Sequence, residues 1–145
     1  MRRPLLLVLL TCLLGMMTPL HAQTADNPDL AALYRADQEA RKDAADIDWS
    51  VVYREDAARR VRVRALMREG AMRTAANHYH AAMVFQHGNG LDDIRIAHAL
   101  STLASTLAPD DMRYRWLAAA SWDRIMTTQL QPQWYGTQFK GDPAR

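Results

Sequence analysis

Apolar residues recur along most of this chain at the three-to-four-residue spacing of an amphipathic helix. No segment of useful length alternates with the two-residue period of a strand. Residues 29–45, DLAALYRADQEARKDAA, place Leu30, Leu33, Tyr34 and Asp37 at helical spacing. Asp48 is positioned to cap a second helix that runs to about Glu69 and stops at Gly70. Thr74 is positioned to cap a third, AANHYHAAMVFQH, which GNG ends. A fourth covers roughly 91–108, with Ile96, Leu100, Leu103 and Leu107 as its apolar stripe. Pro109 and Asp110 reset the chain, and a fifth helix runs from Asp111 to about Gln129. The pattern predicts an all-α fold of about five antiparallel helices, followed by a non-helical C-terminal tail, QPQWYGTQF, at 131–139.

Alanines refine that expectation. HYHAAMVF and WLAAASWDR both set small residues between aromatics, and Ala82 and Ala119 lie 37 positions apart. That offset is close to the ~34-residue period of tetratricopeptide arrays, so helix-repeat packing is expected. Small residues let antiparallel helices approach closely while the aromatics fill the sides.

The N-terminus follows a different pattern. Arg2 and Arg3 precede an apolar run from Leu5 to Leu14, extended by GMMTPL to Leu20. A basic start, a short apolar core and a small residue before the break describe a secretory signal peptide, residues 1–22, cut after Ala22. The clean run is shorter than the ~20 residues a membrane span needs, so no anchor is expected after cleavage. A lipid on Cys12 would require a small residue before the cysteine, where Thr11 stands. Residues 23–145 then form one helical domain, periplasmic or secreted.

Export changes the charge balance. Of 18 Lys and Arg, two leave with the signal, so 16 basic residues face 16 acidic ones. A neutral mature chain carries no electrostatic footprint for nucleic acid. The single cysteine leaves as well, which excludes a disulfide framework and thiol catalysis.

The informative anomalies are charges on apolar faces. Val52, Asp56, Arg59, Val63 and Leu66 fall on one stripe of the second helix. Asp37 and Arg41 lie four apart beside Leu33 and Tyr34, and Asp123 lines up with Trp116, Ala119, Ala120 and Met126. A buried carboxylate is costly unless paired, and arginine is the better partner for it. Asp37, Arg41, Asp56 and Arg59 are therefore expected to form structural ion pairs. His87 and His98, with Asp123, are candidates for acid–base chemistry. His87 equally suits a helix C-terminus, and His98 a backbone-bonded core position. His80 lies on the face of His87, but no HExxH or other close ligand pair appears, so neither a metal nor a cofactor is expected. No nucleophile elbow or phosphate loop is present.

The pieces DQEAR (37–41), FQHG (85–88), AH (97–98), WLAAASWDR (116–124) and PQWYGTQF (132–139) occur in an order and spacing that resemble a family of bacterial proteins known as a domain of unknown function. The resemblance covers about residues 30–140 and rests on FQHG, DR and YGTQ together. It implies a helical fold without an assigned activity. It also implies recurrent polar positions at Asp37, Gln38, Arg41, Gln86, His87, His98, Asp123, Arg124, Gln133, Gly136, Thr137 and Gln138. NHYH at 77–80 departs from it, since an acidic residue is expected near Asn77.

The tail is expected to fold back across the helices. Gln133, Thr137 and Gln138 would satisfy buried polar groups or a ligand, Gly136 would allow the turn, and Trp134 and Tyr135 would anchor it. Asp123, Arg124, His87, His98 and the YGTQ segment would then share one pocket, with Arg124 bracing an earlier helix through Asp37 or Asp56. Gln86, Arg124, Gln133, Tyr135, Thr137 and Gln138 are the candidate binding residues. The leading expectation is an exported binding or interaction module for a protein or peptide partner. The alternatives are a small hydrolase-like enzyme using His87 or His98 with Asp123, and an envelope immunity protein against a toxin. Whether the chain is an enzyme, and its oligomeric state, are left open by the sequence. Intact mass of the exported form is expected to match a chain starting at Gln23; a retained Met1 or a lipidated Cys12 would contradict it.

Overall fold

The computed structural model describes residues 25–42 and 47–139; the expected signal peptide and its cut lie outside them. Five helices follow in order: α1 (Pro28–Glu39), α2 (Trp49–Arg68), α3 (Ala75–Gln86), α4 (Leu91–Leu107) and α5 (Met112–Thr128), with no strand among the described residues. The all-α expectation holds. No described helix is long and apolar enough to cross a membrane.

Side-chain caps set most helix starts. Asp48 accepts from the amides of Ser50 and Val51, Thr74 from Asn77, and Asp111 from Arg113. Each satisfies N–H groups that the first helical turn leaves without a partner. α1 is capped by Asn27 with Pro28 at its first position. It stops at Glu39, short of the expected 45. There the Arg41 side chain turns back onto the carbonyl and carboxylate of Asp37.

α3 is the centre of the molecule. Asn77, Tyr79, Ala81, Ala82, Val84, Phe85 and Gln86 are all buried, so this helix has no solvent face in the usual sense. α1 and α2 both pack on it, α4 pairs closely with it, and α5 pairs with α4 while also touching α3. Leu30, Val63, Leu66, Phe85, Leu100 and Leu117 form the apolar core with the alanines between them. The connections at 87–90 and 108–111 are short, so α3, α4 and α5 form successive helix hairpins.

The α4 stripe differs from expectation. Leu103 and Leu107 are exposed, and the buried face is Ile94, Ala97, Leu100, Ser101 and Ala104. α4 lies between two helices, and its small residues allow close approach on that face. Of the larger residues, Ile94 and Leu100 are buried there with them, and Leu103 and Leu107 are turned outward.

Charge joins what apolar contact leaves thin. Asp56 is 1% exposed and accepts from Arg59 at 2.6 Å and from Arg41 of α1. Burial alone would raise the Asp56 carboxyl, but the bonds from Arg41 and Arg59 outweigh it and hold the group below its ordinary value. Arg60 and Arg64 reach Asp93 at the start of α4, at 3.0 and 2.6 Å. Asp56→Ala leaves Arg41 and Arg59 without their shared carboxylate. A loss of about 3–5 kcal/mol is expected in urea denaturation, the usual cost of breaking a buried pair from one side.

Candidate functional site

Asp123 sits on α5 with no exposed surface. Residues 131–139 fold back over it, and its carboxylate collects the tail. Oδ1 accepts from the Trp134 amide at 2.7 Å and the Tyr135 amide at 3.0 Å. Oδ2 accepts from the amide and the hydroxyl of Thr137, both at 2.9 Å. Burial would raise this carboxyl, but the Thr137, Tyr135 and Trp134 amides and the Thr137 hydroxyl overcome it and the pKa is lowered. Gly136 takes φ 67°, the left-handed region that lets successive amides face one anion. Gln133 and Gln138 close the loop on themselves: the Gln133 side chain accepts from the Gln138 amide and donates to its carbonyl, each at 2.8 Å. The Gln138 side chain then donates to the Ala120 carbonyl at 3.0 Å.

This clasp builds one wall of a groove of about 460 Å³. α4 contributes His98, Thr102 and Ser105; α5 contributes Arg115, Ala118, Ala119 and Trp122; the tail contributes Trp134 and Tyr135. The rings form a ladder, with His98 to Trp122 at 5.3 Å and Trp122 to Trp134 at 5.0 Å, edge to face. His98 Nδ1 lies 3.1 Å from the Ala118 carbonyl and 3.2 Å from the Ser121 hydroxyl. The Trp122 N–H is buried and has no acceptor among the described residues.

A second polar centre lies where α1, α2 and the end of α3 meet. Asp37 is wholly buried, and its oxygens lie 2.9 and 3.0 Å from His87 Nδ1. Gln38 donates to the same carboxylate at 2.8 Å and Arg41 at 3.1 Å. Arg41 also binds Asp56, and Arg59 binds Asp56 and Glu55. Asp37, Arg41, Asp56 and Arg59 are therefore one connected ion-pair network.

The single pocket expected from the sequence divides into these two centres. His98, Trp134 and Tyr135 line the groove while Asp123 lies behind it, holding the tail in place, and His98 bonds a backbone carbonyl and Ser121 rather than Asp123. His87 belongs with Asp37. Arg124 pairs with neither Asp37 nor Asp56; its guanidinium donates to the carbonyl of Gln86 and, at 3.0 Å, to that of Gly88. These are carbonyls left open at the end of α3, where a cation complements the helix dipole. Burial, with the like charge of Arg41, lowers the Arg124 pKa. The Gln86 side chain is buried with its Oε1 unpartnered, while Tyr135 lines the groove and Thr137 serves the clasp.

His80 stands apart from both, stacked on Tyr34 at 4.7 Å, and burial lowers its pKa. No group of three potential metal ligands occurs among the described residues. Trp122, Arg115, Thr102 and Ser105 were not legible as groove residues, because their convergence depends on how α4 and α5 pair. The spacing of Ala118, Ala119 and Trp122 on one helix face was the available signal.

Acid should release the tail. A lowered carboxyl contributes stability that is full above the unfolded value of about 3.9 and is lost as pH falls through the folded value. Limited proteolysis after Tyr135 is therefore expected to be slow at neutral pH and to accelerate only in acid, as pH falls past the unfolded value and through the lowered folded value of Asp123. Asp123→Ala should expose the same bond at neutral pH, with a stability loss on the order of 3 kcal/mol for the orphaned donors.

Compared with known proteins, the chain matches no family model, no curated protein and no solved structure.

Proposed function

We propose that the protein is an exported binding module that holds a peptide segment of a partner in the groove between α4, α5 and the tail. The carrying observation is chemical: an open aromatic ladder whose only formally charged lining residue, among the described residues, is Arg115. Arg115 is exposed and forms no ion pair with a described carboxylate. Its charge complements a carboxylate, and Trp134 and Tyr135, both largely exposed, offer faces for a planar side chain. The volume lies within the range of small-ligand sites. Successive α3–α4–α5 hairpins support the helix-repeat-like reading, in which paired helices present grooves to peptides.

Tryptophan emission, titrated with short peptides ending in an aromatic residue and a free carboxylate, tests this. Trp134→Ala is expected to weaken binding at least ~10-fold, as loss of an aromatic anchor does. Arg115→Ala should abolish the preference for a free carboxylate over its amide. Binding that is absent, or unchanged in Trp134→Ala, would remove the groove from consideration. Capture of one tight toxin-like protein from envelope extract would favour the immunity reading instead.

A further inference from the structure

The Asp37–His87 contact has a chemical consequence that an ordinary ion pair lacks. A carboxylate already holding Gln38 and Arg41 donors offers His87 only acceptor oxygens, at 2.9 and 3.0 Å from Nδ1. The ring proton is thereby fixed on Nδ1, and the lone pair of Nε2 is presented away from Asp37. No described residue bonds Nε2, and the His87 side chain is 25% exposed whereas Asp37 is at 0%. A buried orienting carboxylate and a solvent-reaching imidazole are the arrangement a general base requires.

The surroundings hold this pair still. Arg41 is fixed in turn by Asp56, and Asp56 by Arg59 on α2. Arg124 grips the carbonyls on either side of His87. Gly88 lies against Asp93 so closely that a Cβ there would come within 2.3 Å of the Asp93 Cβ. Arg124 uses one N–H from each terminal nitrogen on those carbonyls, which leaves three of its five for another acceptor. Among the described residues no carboxylate pairs with it, and its two carbonyl partners flank the histidine.

We propose that His87 is the general base of a hydrolytic site for phosphate esters, with Asp37 as its positioning residue and Arg124 as the phosphate-binding group. Nε2 takes a proton from water, and the water oxygen bonds to phosphorus as the ester P–O bond breaks. The alkoxide, leaving on the opposite side of phosphorus, takes its proton from solvent, and the imidazolium gives its own back to solvent. One water is consumed, the phosphate and an alcohol are released, and nothing is oxidised or reduced. The guanidinium offsets the charge that develops on the phosphoryl oxygens.

The test uses the full chain with p-nitrophenyl phosphate and bis(p-nitrophenyl) phosphate. Turnover of at least one is expected, falling about 100-fold or more in His87→Gln, a typical loss for a general base. Arg124→Lys should raise KM more than it lowers kcat, and His78→Gln should change neither. Asp37→Asn can donate to Nδ1 and would move the proton to Nε2; nitrogen-15 shifts of the imidazole should show that switch alongside the lost rate. Should His87→Gln prove unstable, His87→Gly with added imidazole provides a second route, with partial recovery of rate expected. No turnover of either probe, turnover that survives His87→Gln, or a wild-type His87 already protonated on Nε2 would overturn the proposal.

Discussion

Three carboxylates that cannot reach water govern this structure. Asp37, Asp56 and Asp123 are each at most 1% exposed, and every one must be met by donors from elsewhere in the chain. The solutions differ in kind. Asp37 and Asp56 are met by side chains, which ties α1 to α2 and to the end of α3 where apolar contact is modest. Asp123 is met mostly by backbone amides, so it organises a segment with no secondary structure of its own.

That division explains how the molecule combines a rigid body with an irregular edge. No residue of α3 is fully exposed, and the alanine-lined approach of α4 needs no charge. The outer helices and the tail are fixed by polar contacts at defined points. Directional bonds set position, while apolar packing sets proximity. Both candidate sites lie where a directional bond meets solvent: the groove beside the Asp123 clasp, and His87 beside Asp37.

Much of this was legible in the residues. The caps Asp48, Thr74 and Asp111 mark helix starts by a mechanism confined to a few neighbouring positions, and the α2 stripe through Asp56 and Arg59 follows from helical period alone. Asp123 on an apolar face required a partner, and the tail was the segment with spare donors and a glycine. Partnership across elements was not legible. His87 meets Asp37, fifty positions away, because α1 lies along α3, and no local spacing encodes that choice. Charge alone points Arg124 to a carboxylate, whereas the helix end offers carbonyls already in place. The α4 stripe differs for a related reason: hydrophobicity marks a face as apolar, but which apolar positions are covered depends on where α3 and α5 pack.

The Asp123 clasp also bears on the order in which the chain completes itself. Its donors lie eleven to fourteen positions beyond the carboxylate they serve. Until residues 134–137 have been made, the Asp123 carboxylate has none of these donors and can be satisfied only by water. Its burial therefore waits on a segment synthesised after α5, and the clasp closes behind the helix that it caps.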